Sequence, residues 1–122
     1  MTRTITTHTL QKYKTTGQKI VVVTAYDAAM ARLVEMADVD AILVGDSVGM
    51  AVQGHPTTLP VTLEQMIYHA TMVARATRRP FLIMDLPFGT FQTTLDDALR
   101  SAVRGFKEGG VQSIQVEGTT DH

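Results

Sequence analysis

The chain contains no cysteine, which removes disulfides, thiol nucleophiles and Cys-ligated zinc from consideration. It has no run of 18 consecutive apolar residues, so nothing in it reads as a membrane-spanning helix. Residues 1–19 are rich in threonine and lack the apolar segment of a secretion signal; the expected localisation is therefore cytoplasmic. An excess of charge of one sign is also missing. Eleven basic against twelve acidic residues give a formal net charge of -1, so neither nucleic acid nor a membrane is an expected partner. Low-complexity segments are absent. What is there is an ordinary globular composition, 44% hydrophobic and 19% charged in 122 residues, enough for one modest core.

The most informative stretch is Ala41 to Pro60, AILVGDSVGMAVQGHPTTLP. A short apolar run stops abruptly at Gly45-Asp46-Ser47, and a loop rich in Gly, Pro and Thr follows. This is the pattern of a buried strand that delivers a carboxylate and a hydroxyl into a long loop. Loops on a rigid scaffold are where binding and catalysis concentrate, which makes Asp46 and Ser47 the first functional candidates.

Taken in order, residues 1–19 form a lead-in in which Thr7 is expected to cap a short helix through Lys14, broken at Gly17. It reads as an end-cap or lid. Ile20 to Tyr26, IVVVTAY, is continuous and β-branched, as in a strand covered on both faces. Asp27 to Ala37 follows as a helix with Met30, Leu33, Val34 and Ala37 on one stripe. After the second strand and its loop, Thr62 and Gln65 form a capping box that opens a helix striped by Leu63, Met66, Ile67, Ala70 and Val73. Arg78-Arg79 reads as its solvated end. Phe81 to Met84 is the third strand, ending at Asp85-Leu86-Pro87. Thr94 caps a helix striped by Leu95, Ala98, Leu99, Ala102, Val103 and Phe106, stopped by Gly109-Gly110. Val111 to Val116 is the fourth strand, ending at Glu117-Gly118.

The resulting βαβαβαβ order implies right-handed crossovers and a parallel sheet. Two α/β architectures compete, an open doubly wound sheet and half of a (β/α)8 barrel. The second would leave the first and fourth strands as unpaired apolar edges, so the chain is expected to be a fragment or to need a partner.

Asp46, Asp85 and Glu117 each follow a predicted strand directly, at the edge where parallel α/β folds place their sites. Counting back by twos pairs Glu117 with Gln115 and Ser113, Asp46 with Val44 and Ile42, and Asp85 with Ile83 and Phe81. If all three acids enter one lumen they meet at one mouth, and clustered carboxylates call for a hard cation such as Mg2+. Set against this, each acid alone is equally well read as a helix cap, a turn former or a solvated residue. His55 is expected in a loop and His69 on a partly exposed helix face, while His8 and His122 lie near the termini. The methionines read as core filling. Gly45-Asp46-Ser47-Val48-Gly49 also fits the G-x-S-x-G nucleophile elbow, which would make Ser47 a hydrolase nucleophile. That motif needs a helix immediately afterward, whereas the loop Met50 to Pro60 is expected here, with no convincing Asp and His to follow.

The segments TAYD (24–27), LVGDSVGM (43–50), VQGH (52–55), TLPVT (58–62), DLPF (85–88) and VEG (116–118) occur in an order that resembles the ketopantoate hydroxymethyltransferase family. The resemblance covers about the N-terminal half of that family's (β/α)8 TIM barrel, so residues 20–122 would supply its first four strands. It implies Mg2+ held by Asp46, Asp85 and Glu117, with Asp46, Ser47, Asp85 and Gln115 contacting 3-methyl-2-oxobutanoate. The implied reaction takes a one-carbon unit from 5,10-methylenetetrahydrofolate to form 2-dehydropantoate. The implied assembly is a homo-oligomer. Two departures stand out. Gln115 occupies a position where the family usually has lysine, and the family's general base is expected beyond residue 122, so no catalytic base is assigned within the chain. A half barrel that binds metal or keto acid without catalysis is the alternative reading.

Overall fold

The structure, a computed structural model, describes residues 3–117; Gly118 and His122 lie outside the described residues. Four parallel strands, β1 (Val22–Thr24), β2 (Ala41–Val44), β3 (Phe81–Asp85) and β4 (Ser113–Gln115), form one sheet in the order β1-β2-β3-β4. Each crossover moves one place in the same direction, the connectivity of a (β/α)8 barrel. A doubly wound sheet instead reverses its order at a switch point. The chain is thus α/β with the first four strands of a TIM-type barrel.

The connecting helices are α2 (Ala28–Met36), α3 (Val48–Ala51), α4 (Leu63–Ala76) and α5 (Leu95–Lys107), preceded by α1 (Thr7–Thr16). The central helix follows its sequence pattern. Thr62 and Gln65 cap α4 reciprocally, and Leu63, Met66, Ile67, Ala70 and Val73 are all buried. They pack on Ile42, Val44, Leu82 and Met84, the helix-facing residues of the two central strands. Each fully buried Leu, Ile, Val or Met side chain among them contributes about 1.5–3 kcal/mol.

The lead-in does act as an end-cap. Ile5 N–H donates to Arg79 O at 3.0 Å, and Ile5 packs with Ala41 and Phe81, the first residues of β2 and β3, supported by Leu10 and Ile83. The cap residue of α1 is Thr6, one earlier than expected, because its hydroxyl accepts from Thr9 N–H while the Thr9 side chain returns the bond.

Three expectations need correction. β1 is not covered on both faces: it is exposed throughout, because among the described residues no helix packs closely on it, and as the edge strand it has β2 on one side only. On α2 the buried residues are Ala31 and Val34, while Met30 and Leu33 are 48% and 61% exposed. The stripe of α5 also faces outward, with Leu95, Leu99, Val103 and Phe106 exposed. The inward face of α5 is made of small residues, since a Cβ on Gly105 would come within 2.5 Å of Ile114 Cδ1. Close approach of α5 to the sheet therefore requires glycine there. The methionines divide likewise: Met66 and Met84 fill the core, but Met30, Met36 and Met50 are exposed. No helix among the described residues is long and apolar enough to cross a membrane.

Candidate active site

Asp85 is the last residue of β3 and is paired in register with Gln115 of β4. Leu86 N–H donates to Gln115 O at 3.0 Å, which keeps the two strands joined past that point. Both side chains lie on the face of Phe81, Ile83 and Ser113, opposite the helix layer. Asp46 reaches the same place by another route. Strict alternation would put it with Ile42 and Val44, which face the helices. However, β2 ends at Val44 and the chain turns through Gly45 into α3, with Val48 N–H donating to Gly45 O at 3.1 Å. The turn, not the strand period, aims Asp46.

The outcome is one cavity of about 150 Å³ lined by Asp46, Asp85, Gln115 and Glu117 together with Thr58 and Phe91. Asp46 N–H donates to Asp85 Oδ2 at 3.0 Å. Gly45 makes this approach possible, since a Cβ there would lie 3.2 Å from Asp85 Oδ2 and 3.3 Å from Ser47 Oγ. Gln115 Nε2 donates to Glu117 Oε1 at 3.1 Å. Glu117 itself is exposed, at the rim.

The electrostatics follow from burial and like charge. Burial pushes the Asp85 carboxyl up to about 6, with the Asp46 and Glu117 charges adding to the effect and the Asp46 N–H opposing it. Asp46 is also raised, by burial first and then by Glu117, while hydrogen bonding from Asp85 and Thr58 acts the other way. Both shifts run in the same direction, and burial is the largest cause of each.

Among the described residues, no group of three or more His, Cys, Asp or Glu side chains is arranged to hold a metal ion. Two adjacent carboxylates are nevertheless present, and Asp85 Oδ1 is buried with no hydrogen-bond partner. An orphaned carboxylate oxygen, an all-oxygen donor set and space for water fit a hard divalent cation, which commonly takes one or two carboxylates and keeps several waters.

Ser47 does not line the cavity. It is exposed beside it, its Oγ 2.6 Å from Tyr26 Oη. Contrary to expectation, a helix does begin right after Ser47, namely α3. The hydrolase reading still fails, because Ser47 sits at an unstrained φ of -56° and ψ of -14° and its partner is a phenol. His69 is buried, not partly exposed, because its Nδ1–H donates to Tyr26 O at 2.7 Å; His55 lies in the loop as expected. Tyr26 and Thr58 are site residues that the sequence pattern does not single out; a tyrosine two residues past the end of β1 and a threonine in the long loop are the only signals.

A sequence profile described as ketopantoate hydroxymethyltransferase matches residues 4–122. A curated relative named 3-methyl-2-oxobutanoate hydroxymethyltransferase, from Anaeromyxobacter sp. (strain Fw109-5), is 54% identical over 120 residues, 95% of this chain and 39% of that protein. One of the same name from Cytophaga hutchinsonii is 52% identical over 114 residues, 93% of this chain and 42% of that protein. The chain therefore spans about two fifths of the length of these relatives. Among solved structures, phosphoenolpyruvate phosphomutase from Streptomyces platensis subsp. rosaceus superposes with a TM-score of 0.71 at 20% identity, over 88% of this chain and 36% of that one. A 2,3-dimethylmalate lyase, described as a PEP mutase/isocitrate lyase superfamily member, gives 0.70 at 21% identity over 98% of this chain and 41% of that one. At these identities the structural likeness establishes the fold.

Proposed function

Because the chain belongs to the ketopantoate hydroxymethyltransferase family, we propose that it forms the metal- and keto-acid-binding part of an enzyme moving a hydroxymethyl group from 5,10-methylenetetrahydrofolate to 3-methyl-2-oxobutanoate. The product is 2-dehydropantoate. The observation that carries this reading is the Asp46–Asp85 pair, in which the Asp46 backbone N–H holds the Asp85 carboxylate while its second, buried oxygen is unpartnered.

Asp46 and Asp85 would hold Mg2+, with Glu117 at the rim as the third acid. The bound cation would supply Lewis-acid polarisation of the 2-oxo group, which makes the C3 proton more acidic. The residues of this chain then bind and orient. Ser47 lies outside the cavity lining with its hydroxyl held by Tyr26, and would reach the keto acid only across Gly45, where an added Cβ would lie close to both Ser47 Oγ and Asp85 Oδ2. Gln115 spends one amide proton on Glu117 and keeps the other for the substrate carboxylate. Where a lysine would provide a charge-assisted bond, an amide provides a neutral one, weaker by roughly 1 kcal/mol or more. Removal of the C3 proton needs a positioned base, which we assign to the remaining β/α units of the longer protein. Self-association of that protein belongs to the same reading.

The test is deuterium exchange at C3 of 3-methyl-2-oxobutanoate, followed by proton NMR with Mg2+ present and the chain combined with the further β/α units its relatives possess. Exchange that disappears in Asp85→Asn is the expected result, and no exchange in the combined protein would overturn the proposal. The amide at Gln115 favours a second reading, a half barrel that binds without turnover. Calorimetry on the chain alone that detects Mg2+ or keto acid, together with absent exchange in the combined protein, would select it.

A further inference from the structure

A second cavity, of about 350 Å³, lies at the opposite end of the sheet from the carboxylate site. It is lined by Arg3, Arg75, Arg78, Thr77, Gly110 and Gln112, with Ala74. These residues come from the lead-in, the C-terminal end of α4 and the turn before β4. Three arginines thus line one space in a protein whose net charge is -1, Arg3 half-buried and Arg75 and Arg78 exposed at its edge.

Arg3 is held in place. Its Nη1 donates to Thr77 Oγ1 at 2.7 Å and its Nη2 to Ala74 O at 2.9 Å. Thr77, itself buried, is fixed in turn by donating to Val73 O at 2.9 Å. Arg75 and Arg78 are different: among the described residues their guanidinium groups enter no ion pair or side-chain hydrogen bond, whereas Arg79 next door pairs with Asp38 and Asp40. Glu35 lies close to this end: its Oε2 accepts the backbone N–H groups of Arg78 and Arg79, and its charge acts on Arg3, so it offsets part of the positive charge there. Gln112 adds a polar side chain whose Oε1 accepts from Leu82 N–H, leaving its amide donors unspent. Gly110, at φ +74°, lets the turn close against α4, where a Cβ would lie 3.3 Å from Ala74 Cβ.

Basic residues at the end of a helix complement its dipole, which by itself explains one or two arginines there. It does not explain a third, brought from residue 3 and anchored to the same helix end. Three full positive charges outweigh the half charge of the helix terminus, and guanidinium forks match the paired oxygens of a phosphoryl group. We propose that this cavity is a binding site for a small phosphate monoester, with the exposed Arg75 and Arg78 as free clamps and Arg3 as the anchored one. A dianion suits three guanidinium groups better than a monocarboxylate does, and the volume accommodates a phosphoryl group with a small organic substituent. The site is separate from the keto-acid cavity and stands independently of the function proposed above.

The experiment is calorimetric titration of the metal-free chain with glycerol 3-phosphate, inorganic phosphate and malonate at constant ionic strength. One saturable site for glycerol 3-phosphate is expected, weakened about tenfold by either Arg75→Gln or Arg78→Gln and more in the pair, since each removes a charge-assisted contact. Neither side chain bonds to the rest of the described protein, so circular dichroism should show both variants folded. Binding unchanged in both variants would overturn the site. Malonate binding more tightly than either phosphate compound would overturn the phosphoryl assignment.

Discussion

Asp46 N–H and Asp85 Oδ2 lie 3.0 Å apart, so the turn after one strand fixes the carboxylate that ends the next. The bond orients Asp85 while leaving its Oδ1 buried and unpartnered. That asymmetry underlies the first two predictions.

Asp85 is raised from an ordinary 3.8 to about 6, so between these values the folded chain binds more protons than the unfolded one. Stability of the metal-free chain should be fully present below about pH 4 and fall as pH rises through about 6, by ~2 to 3 kcal/mol. Urea denaturation across this range is the measurement. Asp85→Asn should flatten the profile, and Mg2+ should offset the loss above pH 6. A profile that rises over the same window would contradict the assignment.

Gly45→Ala places a methyl group 3.2 Å from Asp85 Oδ2 and 3.3 Å from Ser47 Oγ, tighter than ordinary contact. The neighbours must move by a few tenths of an ångström, at a cost of roughly 1–3 kcal/mol. Carboxyl NMR titration should show the Asp85 midpoint displaced as its bond to Asp46 N–H is strained. An unchanged midpoint with unchanged stability would mean the turn is looser than its geometry indicates.

Gln115→Lys places an ammonium in the cavity beside Asp85 and Glu117. The charge-assisted contact to a keto-acid carboxylate is of order ~1.5 to 3 kcal/mol, and keto-acid affinity measured by calorimetry should rise about tenfold. Equal affinities in the two proteins would show that Gln115 does not face the substrate.

The outward faces carry a prediction about assembly. Leu95, Leu99, Val103 and Phe106 on α5 are 74%, 55%, 52% and 45% exposed, and Ile20 to Val23, leading into and along β1, are 37% to 51% exposed. Apolar faces of this kind mark interaction surfaces. The chain alone should associate as its concentration rises in analytical ultracentrifugation. Leu99→Glu with Val103→Glu should shift it toward monomer while changing monomer stability by only about 0.5 kcal/mol, because both positions are already exposed. Indistinguishable sedimentation of the two proteins would count against this role.

Periodicity and capping were sufficient wherever neighbours in sequence decide the outcome. The stripe of α4, its Thr62–Gln65 box and the limits of β2 all follow from local pattern. Two placements escaped it. Asp46 enters the cavity against the strand alternation because a turn at Gly45 resets the direction of the chain, and no count by twos can anticipate that. The apolar stripe of α5 is real, but a stripe does not say what covers it, and against this sheet only Ser101 and Gly105 come close enough to be buried.

By itself, then, the sequence determined the alternation of strands and helices, the carboxylates at the strand ends and, through its motifs, the family. Those features depend on residue type and short-range spacing. Only the tertiary structure decided that the strands lie in sequential order and that Asp46, Asp85, Gln115 and Glu117 share one cavity. It also brought Arg3 across more than seventy residues to the end of α4. Contacts between segments so distant are fixed by packing of the whole sheet and its helices, which no local window of residues contains.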